Sequence, residues 1–447
     1  MKVLLVQPDA ARELIGWGDL GAIAEPLALE YLAAGARTDS HEVRLLDLRL
    51  HPAMLRSELL AFAPDVVGVT GYSMHVLRNL EICREVKSLR PDCITIAGGH
   101  HATLLAEDFF EEEIDFVVIG EGVRPFRGLL DALARGDRSV SVPAVWTRTD
   151  GRSFRYGGDA PLFDVDRIPP PDRSLVPRDR NAYYIDWMRP IALMRSTVGC
   201  PYRCSFCSLW RIMDGRYHKR SIESVVEELA LIEEAFVFLV DDEAFVNKRH
   251  MLELAETIER AGIRKKFFSY CRIDTLIRHR DMIERWHAIG LDRLFIGIEA
   301  VSDEDLANYN KRLEVAQVEA GIRIAREIGI KLFAGFIVNT NFTERSFRRM
   351  TRFIEHNRID YPSFTILTPL PGTEALRSFD AVIERQPNGR PNWSLFDLQH
   401  PVTATHLPRE RFMQEYHKLH QTFAPIFTEH RDMRHLITLR SQARRAI

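Results

Sequence analysis

Cys200-Pro201-Tyr202-Arg203-Cys204-Ser205-Phe206-Cys207 gathers three thiols within eight residues. The spacing C-x3-C-x2-C lets one short loop wrap a metal centre without help from distant chain. Three ligands, not four, is the informative count. A structural zinc site is normally closed by four ligands, and an ordinary ferredoxin cluster also takes four cysteines. No fourth cysteine or histidine follows at ligand spacing. A four-iron cubane held here keeps one iron open, and an open metal position is where a substrate or cosubstrate binds. A zinc knuckle or redox thiols are the plainer alternative.

Ahead of the loop, 191–196 reads as a strand. The runs 236–240, 266–271, 293–298, 331–338 and 363–367 read as five more. Helical stretches intervene, among them 221–234 with Ser221 as N-cap, and 248–261. Six strand–helix units over 191–373 predict a partial (β/α)6 barrel, whose chemistry sits at the carboxyl ends of its strands. Polar residues collect there: Asp241-Asp242-Glu243-Ala244-Phe245, Arg272, Glu299, Asn339 and Thr368-Pro369-Leu370-Pro371-Gly372-Thr373.

The cysteine spacing, with aromatic Phe206 before the last cysteine, resembles the signature of the radical S-adenosylmethionine (SAM) enzymes. The resemblance implies a [4Fe–4S] cluster on Cys200, Cys204 and Cys207, with SAM chelated at the open iron and cleaved to a 5′-deoxyadenosyl radical. It places Phe206 beside SAM. Asp241 and Asp242 lie in a segment resembling the family's Asp-Asp-x-Phe, which meets the SAM ammonium. Glu243 takes the second acidic position if Phe245 sets the register, and a solvated acidic loop is the plain alternative. Arg272 pairs with the SAM carboxylate, or with substrate, or makes a structural ion pair. Gly297-Ile298-Glu299 with Asn310-Lys311 is similar to the family's Gly-x-Glu and Asn-Lys stretches, so Glu299 is expected on the SAM ribose or amino group. Pro369 begins a Pro-x-Pro-Gly-Thr match whose fixed backbone frames the adenine. The fifth strand departs from the family pattern, and Asn339 is the residue left there for an adenine contact.

In the first 135 residues, apolar runs at 3–6, 43–46, 66–70, 94–97 and 116–119 alternate with helical patterns at 26–36, 54–62, 75–88 and 102–110. Near-continuous apolar strands alternating with helices predict a doubly wound parallel sheet, with its ligand beyond the strands' carboxyl ends. Those ends carry Thr70 to Met74, Gly98-Gly99-His100-His101 and Gly120-Glu121-Gly122, where glycine suits close approach of a large ligand. Glu25-Pro26-Leu27 before a helix, then Gly-Gly-His and Gly-Glu-Gly, resembles the Rossmann-like cobalamin-binding domain that precedes many radical SAM modules. The resemblance makes Thr70, Gly71, Tyr72, Ser73, Met74, Gly98, Gly99, His100, Gly120, Glu121 and Gly122 neighbours of cobalamin. Two departures stand out. The D-x-H-x-x-G pattern that supplies a histidine to cobalt is absent, and Gly-Glu-Gly-Glu ends instead in Val123. Either the lower face of cobalt lacks a protein ligand, or Tyr72, Met74 or His75 approaches it. For His75, His100 and His101 the plain reading is a helix-start or loop histidine.

Between the modules, 136–190 reads as a linker. It holds a hairpin at 144–155 and a stiff stretch at Ile168-Pro169-Pro170-Pro171. Residues 374–447 read as a mainly helical C-terminal region. The last stretch, 430–447, carries five arginines and one aspartate, which suits a solvated helix or one lying on an anionic membrane. A 447-residue chain exceeds one typical core, and net charge −3 gives no basic stripe for nucleic acid. Six cysteines in this length form no secreted disulfide framework, and Cys83, Cys93 and Cys271 read as core residues. No transmembrane run and no signal peptide is read. A cytoplasmic protein is expected, with a reductant such as flavodoxin or ferredoxin.

The paired modules imply methylation of an unactivated carbon in a small-molecule or lipid substrate, through the 5′-deoxyadenosyl radical and methylcobalamin. A cobalamin-dependent radical SAM oxidase or cyclase is the alternative among enzymes. A cobalamin-binding sensor or accessory protein is the alternative outside them.

Overall fold

The computed structural model describes residues 1–9, 22–160, 164–185, 188–376 and 379–428. In the first module, β1 (Lys2–Gln7), β2 (Glu42–Asp47), β3 (Val66–Val69), β4 (Ile94–Ala97) and β5 (Phe116–Val118) pair in parallel in the order β2-β1-β3-β4-β5. The strands are apolar on both faces because both are covered. Val3 and Leu5 point into a core with helices Leu27–Thr38 and Val123–Ala134. Leu4 and Val6 point into the opposite one, with Leu55–Phe62 and Val76–Leu89. Cys83 and Cys93 lie in that second core.

Two sequence expectations shift here. The hairpin assigned to the linker, β6 (Val145–Asp150) and β7 (Ser153–Tyr156), extends the first sheet, with β6 antiparallel to β5. Three-residue β5 would otherwise be an open edge, and the hairpin covers it. The helix expected at 102–110 breaks at Leu105 into a short helix, His100–Leu104, and a 3-10 turn, Ala106–Phe109.

The second module is a six-stranded parallel sheet in chain order. It runs β8 (Ile191–Met194), β9 (Phe236–Leu239), β10 (Lys266–Tyr270), β11 (Leu291–Glu299), β12 (Lys331–Val338) and β13 (Tyr361–Ile366). Its outer face meets its helices in the largest core, which contains Cys271. On the inner face Phe238 stacks on Phe268 at 4.4 Å, and Phe333 on Tyr361 at 5.2 Å. This inner layer packs against Leu27, Tyr31 and Val123 of the first module, so one apolar core spans the junction.

The C-terminal region is less helical than its composition suggests. From Glu374 to Pro408 the described chain forms 3-10 turns and isolated bridges, and only Arg409–Thr428 is an α-helix. Pro387, Pro391, Pro401 and Pro408 remove backbone donors along this run. The run serves as a strap: Val382, Trp393, Leu395, Phe396 and Val402 join the first module's core. The helix then packs on the second module through Phe412, Tyr416, Leu419 and Phe423. The 430–447 stretch lies outside the described residues. Among the described residues no helix is long and apolar enough to cross a membrane.

Candidate functional site

The cysteine loop leaves β8 and is held from several sides. Gly199 has φ +88°, and a Cβ there would stand 2.2 Å from the Arg216 carbonyl oxygen, so no side chain fits. Trp210 Nε1 donates to the Cys204 carbonyl at 3.3 Å. The turn after the fourth strand grips the loop from the far side. Asn310 Nδ2 donates to the Arg203 carbonyl at 2.8 Å, and Ser205 Oγ to the Asn308 carbonyl at 2.9 Å. Arg272 adds a third hold. Its guanidinium stacks on Tyr202 at 4.0 Å and donates to Asp274 Oδ1, the Lys311 carbonyl and, at 3.5 Å, Cys204 Sγ. An ion pair with Asp274 at 2.9 Å is present, one of the readings open for Arg272.

The acidic segment divides its labour. Asp241 is buried and accepts from Ser196 N, Ser196 Oγ and Thr197 Oγ1 at 2.8–2.9 Å, and from Thr197 N. It fastens the base of the cysteine loop and is spent there, so it is not placed to meet a SAM ammonium. Asp242 accepts from Gly199 N at 3.0 Å and faces a cavity. Glu243 is the residue the sequence reading under-used. It is 3% exposed, and its Oε1 has no hydrogen-bond partner among the described residues. Burial pushes its carboxyl up to about 8, against the pull of Arg272. A buried acceptor left unpaired is costly unless a ligand meets it.

Glu299 ends β11 at φ +69°, a strained backbone for a non-glycine residue. Lys311 Nζ donates to its Oε1 at 3.2 Å, and its carboxylate lines a cavity. Gly297 makes room, since a Cβ there would stand 2.1 Å from that oxygen. Phe206 lies edge-on to Tyr309 at 5.5 Å on the same wall. Asn339 is committed elsewhere: its Nδ2 donates to Tyr309 Oη at 3.1 Å, and its Oδ1 accepts from Asn341 N at 3.1 Å. It fixes the β12 turn with one of its two N–H donors and one lone pair of its oxygen. Pro369 is buried, while its neighbours Thr368, Leu370 and Pro371 line the cavity.

The first module contributes the opposite wall. Gly99 has φ +96°, and a Cβ there would stand 2.6 Å from Thr70 Oγ1. The loops after β3, β4 and β5 therefore close together as a lip. Thr70, Gly99, His100, Gly120, Glu121 and Gly122 line one cavity with Arg195 and Asp242 of the second module. Tyr72, Ser73, Met74 and His100 line another, of about 420 Å³, which Phe206, Cys207 and Glu299 share. Gly71 and Gly98 stand behind this lip, Gly71 against the His75 ring. Tyr72 is 58% exposed, yet the surface it exposes is the wall of this interior space, where it meets His100 at 4.6 Å. Arg195 was not singled out from sequence, although its place just past the carboxyl end of β8 is the available signal.

The chain is 32% identical over 410 residues to hopanoid C-3 methylase of Methylococcus capsulatus, covering 89% of this chain and 76% of that one. The B12 binding domain family matches residues 15–130, and the Radical SAM superfamily matches residues 194–354. The chain belongs to the cobalamin-dependent radical SAM enzymes. An anaerobic magnesium-protoporphyrin IX monomethyl ester cyclase from Rubrivivax gelatinosus is 25% identical over 399 residues, 86% of this chain and 71% of that one. The fold matches that of the radical SAM methyltransferase TsrM from Kitasatospora setae, with TM-score 0.69 and 19% identity over 95% of this chain and 88% of that one.

A cobalamin-dependent radical SAM enzyme uses a [4Fe–4S] cluster, SAM and cobalamin, and the residues fit all three. Among the described residues no three His, Cys, Asp or Glu side chains converge on a single-ion site. A cubane asks for another arrangement, one thiolate per iron, which Cys200, Cys204 and Cys207 can give. Burial pushes Cys200 up to about 12 and Cys207 to about 11, so iron charge must deprotonate them. The orphan Glu243 Oε1 suits a cationic cosubstrate. The bared Tyr72 and the close-set glycine lip suit a large flat cofactor.

Proposed function

We propose that the chain is a methyltransferase acting on an unactivated carbon of an apolar, lipid-class small molecule. The supporting observation is the 420 Å³ cavity bounded on one side by the glycine lip and on the other by the cysteine loop and Glu299. Its remaining wall is largely apolar: Leu104, Ile337, Ile366, Leu367, Phe396 and Leu398. When bound, the cluster and SAM supply a 5′-deoxyadenosyl radical, and cobalamin supplies the methyl group. The protein holds both groups against one carbon. Cys200, Cys204 and Cys207 carry the cluster, while Phe206, Asp242, Glu243, Glu299 and the backbone around Pro369 position SAM. The loops at Thr70–Met74, Gly98–His100 and Gly120–Gly122 cradle the corrin. The apolar wall keeps water from a reactive intermediate.

On this reading the first 135 residues with their hairpin are the cobalamin module, and 191–373 is a partial (β/α)6 barrel. A flavodoxin or ferredoxin supplies electrons in the cytoplasm. The similarity to hopanoid C-3 methylase favours a polycyclic lipid as substrate. The cyclase relative supports a second reading, oxidative ring formation in the same cavity.

The test is anaerobic reconstitution with iron, sulfide and hydroxocobalamin, followed by SAM, a strong reductant and candidate lipids. Methylation predicts both 5′-deoxyadenosine and S-adenosylhomocysteine, a product heavier by one methylene unit, and loss of all three in Cys200→Ala. Deoxyadenosine with a product that has lost hydrogen or gained oxygen would overturn methylation and establish the cyclase reading.

A further inference from the structure

The cavity lined by Thr70, Gly99, Gly120 and Gly122 has a wall from each module, and the second module's wall carries a cation without a partner. Arg195 directly follows β8 and is half-buried. Among the described residues its guanidinium makes no hydrogen bond and no ion pair. Its charge nonetheless acts on Tyr72, His100 and Glu121 of the lip and on Asp242. The two carboxylates that share the cavity are bonded to backbone amides. Glu121 accepts from Val123 N at 3.0 Å and Arg124 N at 3.2 Å, and Asp242 from Gly199 N at 3.0 Å.

The backbone that delivers Arg195 is fixed. Its carbonyl accepts from Arg220 Nη1 at 2.8 Å, and the next residue, Ser196, is held by Asp241. A cation drawn partly out of water is costly unless a ligand supplies acceptors. A guanidinium is a planar fork of donors that matches oxygen acceptors and offers nothing to an apolar group. Cobalamin carries such oxygens at its rim, as amide carbonyls around the corrin and as the phosphate of its nucleotide loop. Arg195 does not line the neighbouring cavity with Phe206, Cys207 and Glu299, where SAM is placed.

We propose that Arg195 donates to oxygen acceptors of bound cobalamin, so that the second module grips the cofactor that the first module cradles. The inference rests on the cobalamin assignment and adds to it a contact from the other module. Arg195 is a positioning residue. It stands at the root of the cysteine loop, so the contact ties cobalamin to the strand that delivers the cluster.

Equilibrium dialysis of the full chain against hydroxocobalamin tests this without turnover. Arg195→Met keeps the stem and removes the donors. It should weaken cobalamin binding about tenfold to a hundredfold. It should not lower the unfolding temperature of the cofactor-free chain, as loss of a merely structural contact would. Arg195→Lys keeps the charge without the fork and should fall between wild type and Arg195→Met. Cobinamide, which keeps the corrin amides and lacks the nucleotide loop, separates the two acceptors. An equal loss with cobinamide locates the contact at the amides, and a loss with cobalamin alone locates it at the phosphate. Unchanged cobalamin affinity in Arg195→Met would overturn the proposal. So would a lowered unfolding temperature of the empty chain, or a loss confined to SAM binding by cluster-loaded protein. A wild-type chain that retains no cobalamin would end the cofactor assignment itself, and this proposal with it.

Discussion

Glu243 shows how much chemistry one side chain can carry. Its carboxyl is raised to about 8 by burial, so it is largely neutral at pH 7 in the empty site and ionises as pH rises. On the proposed placement of SAM, a cationic part of it would bind the ionised form and draw the carboxyl back toward its ordinary value of 4.5. SAM affinity should therefore rise with pH across that window, by up to about tenfold per unit, and level off above about 8. Glu243→Gln should flatten the profile. Calorimetric titration of SAM into cluster-loaded protein checks this, and an unchanged slope in the variant would remove Glu243 from the SAM site. Gly297 gives a steric counterpart. The Cβ of Gly297→Ala would push on Glu299 Oε1 from 2.1 Å and on Lys311 Nζ from 3.3 Å. Overpacking of this kind costs about 1–3 kcal/mol; with that strain falling on the SAM-bound form, SAM affinity drops by about fivefold to 150-fold. Cobalamin binding should be untouched, because the lip lies across the cavity. The acidic segment also marks where sequence reading stops. Asp241, Asp242 and Glu243 are consecutive, and spacing brings all three to the strand end. Only the path of the cysteine loop decides that Asp241 is consumed by Ser196 and Thr197 while Glu243 keeps an open oxygen.

At the scale of elements, the parallel strands were legible because buried strands are apolar without interruption. The run at 331–338 coincides with β12 to the residue, and Ser221 caps its helix by accepting from Ser224 N. The strap at 374–408 was not, because its aromatic and apolar residues suit a helix while its prolines and the Asn388-Gly389 turn forbid one. The Asn310-Lys311 pair was legible as a motif, but its mechanical sense appears only when the turn meets the cysteine loop. Asn310 sits at φ +51°, a conformation asparagine tolerates, and its amide ties down the Arg203 carbonyl. Asn310→Ala loses both advantages, about 1 kcal/mol each. Asn310→Gly keeps the backbone and loses only the tie. We expect both variants to fold and to bind less iron per chain after reconstitution, the alanine variant less than the glycine. Iron and sulfide assays with cluster absorbance measure this, and full loading in both would show that the turn does not hold the loop.

For the whole molecule, the junction decides whether two cofactor modules behave as one enzyme. Apolar packing of Leu27 and Tyr31 on the inner face of the second sheet sets their spacing. Glu25 sets their register. Its side chain is fully buried, accepts from the Leu193 backbone N–H of β8, and pairs with Arg180 of the linker. Arg173 stands 3.6 Å from the same carboxylate and reaches Glu228 of the second module at 2.9 Å. Charges this deep gain little over an apolar contact while the set is complete. Removing Glu25 leaves Arg180 with Glu234 and Arg173 with Glu228, so the cost falls below the about 3–5 kcal/mol of a fully stranded buried charge. Glu25→Ala leaves Arg180 and Arg173 without their shared anion and the Leu193 N–H without its acceptor, while touching neither cofactor. The two chromophores report the result separately. In wild type, cobalamin and cluster absorbance should be lost together on anaerobic heating, because unfolding one module exposes the shared core of the other. In Glu25→Ala the losses should separate in temperature and begin lower, although each cofactor still loads. A single coincident loss at the wild-type temperature would mean that the apolar junction alone joins the modules. The Glu-Pro-Leu motif would then owe its place to helix entry instead of to coupling.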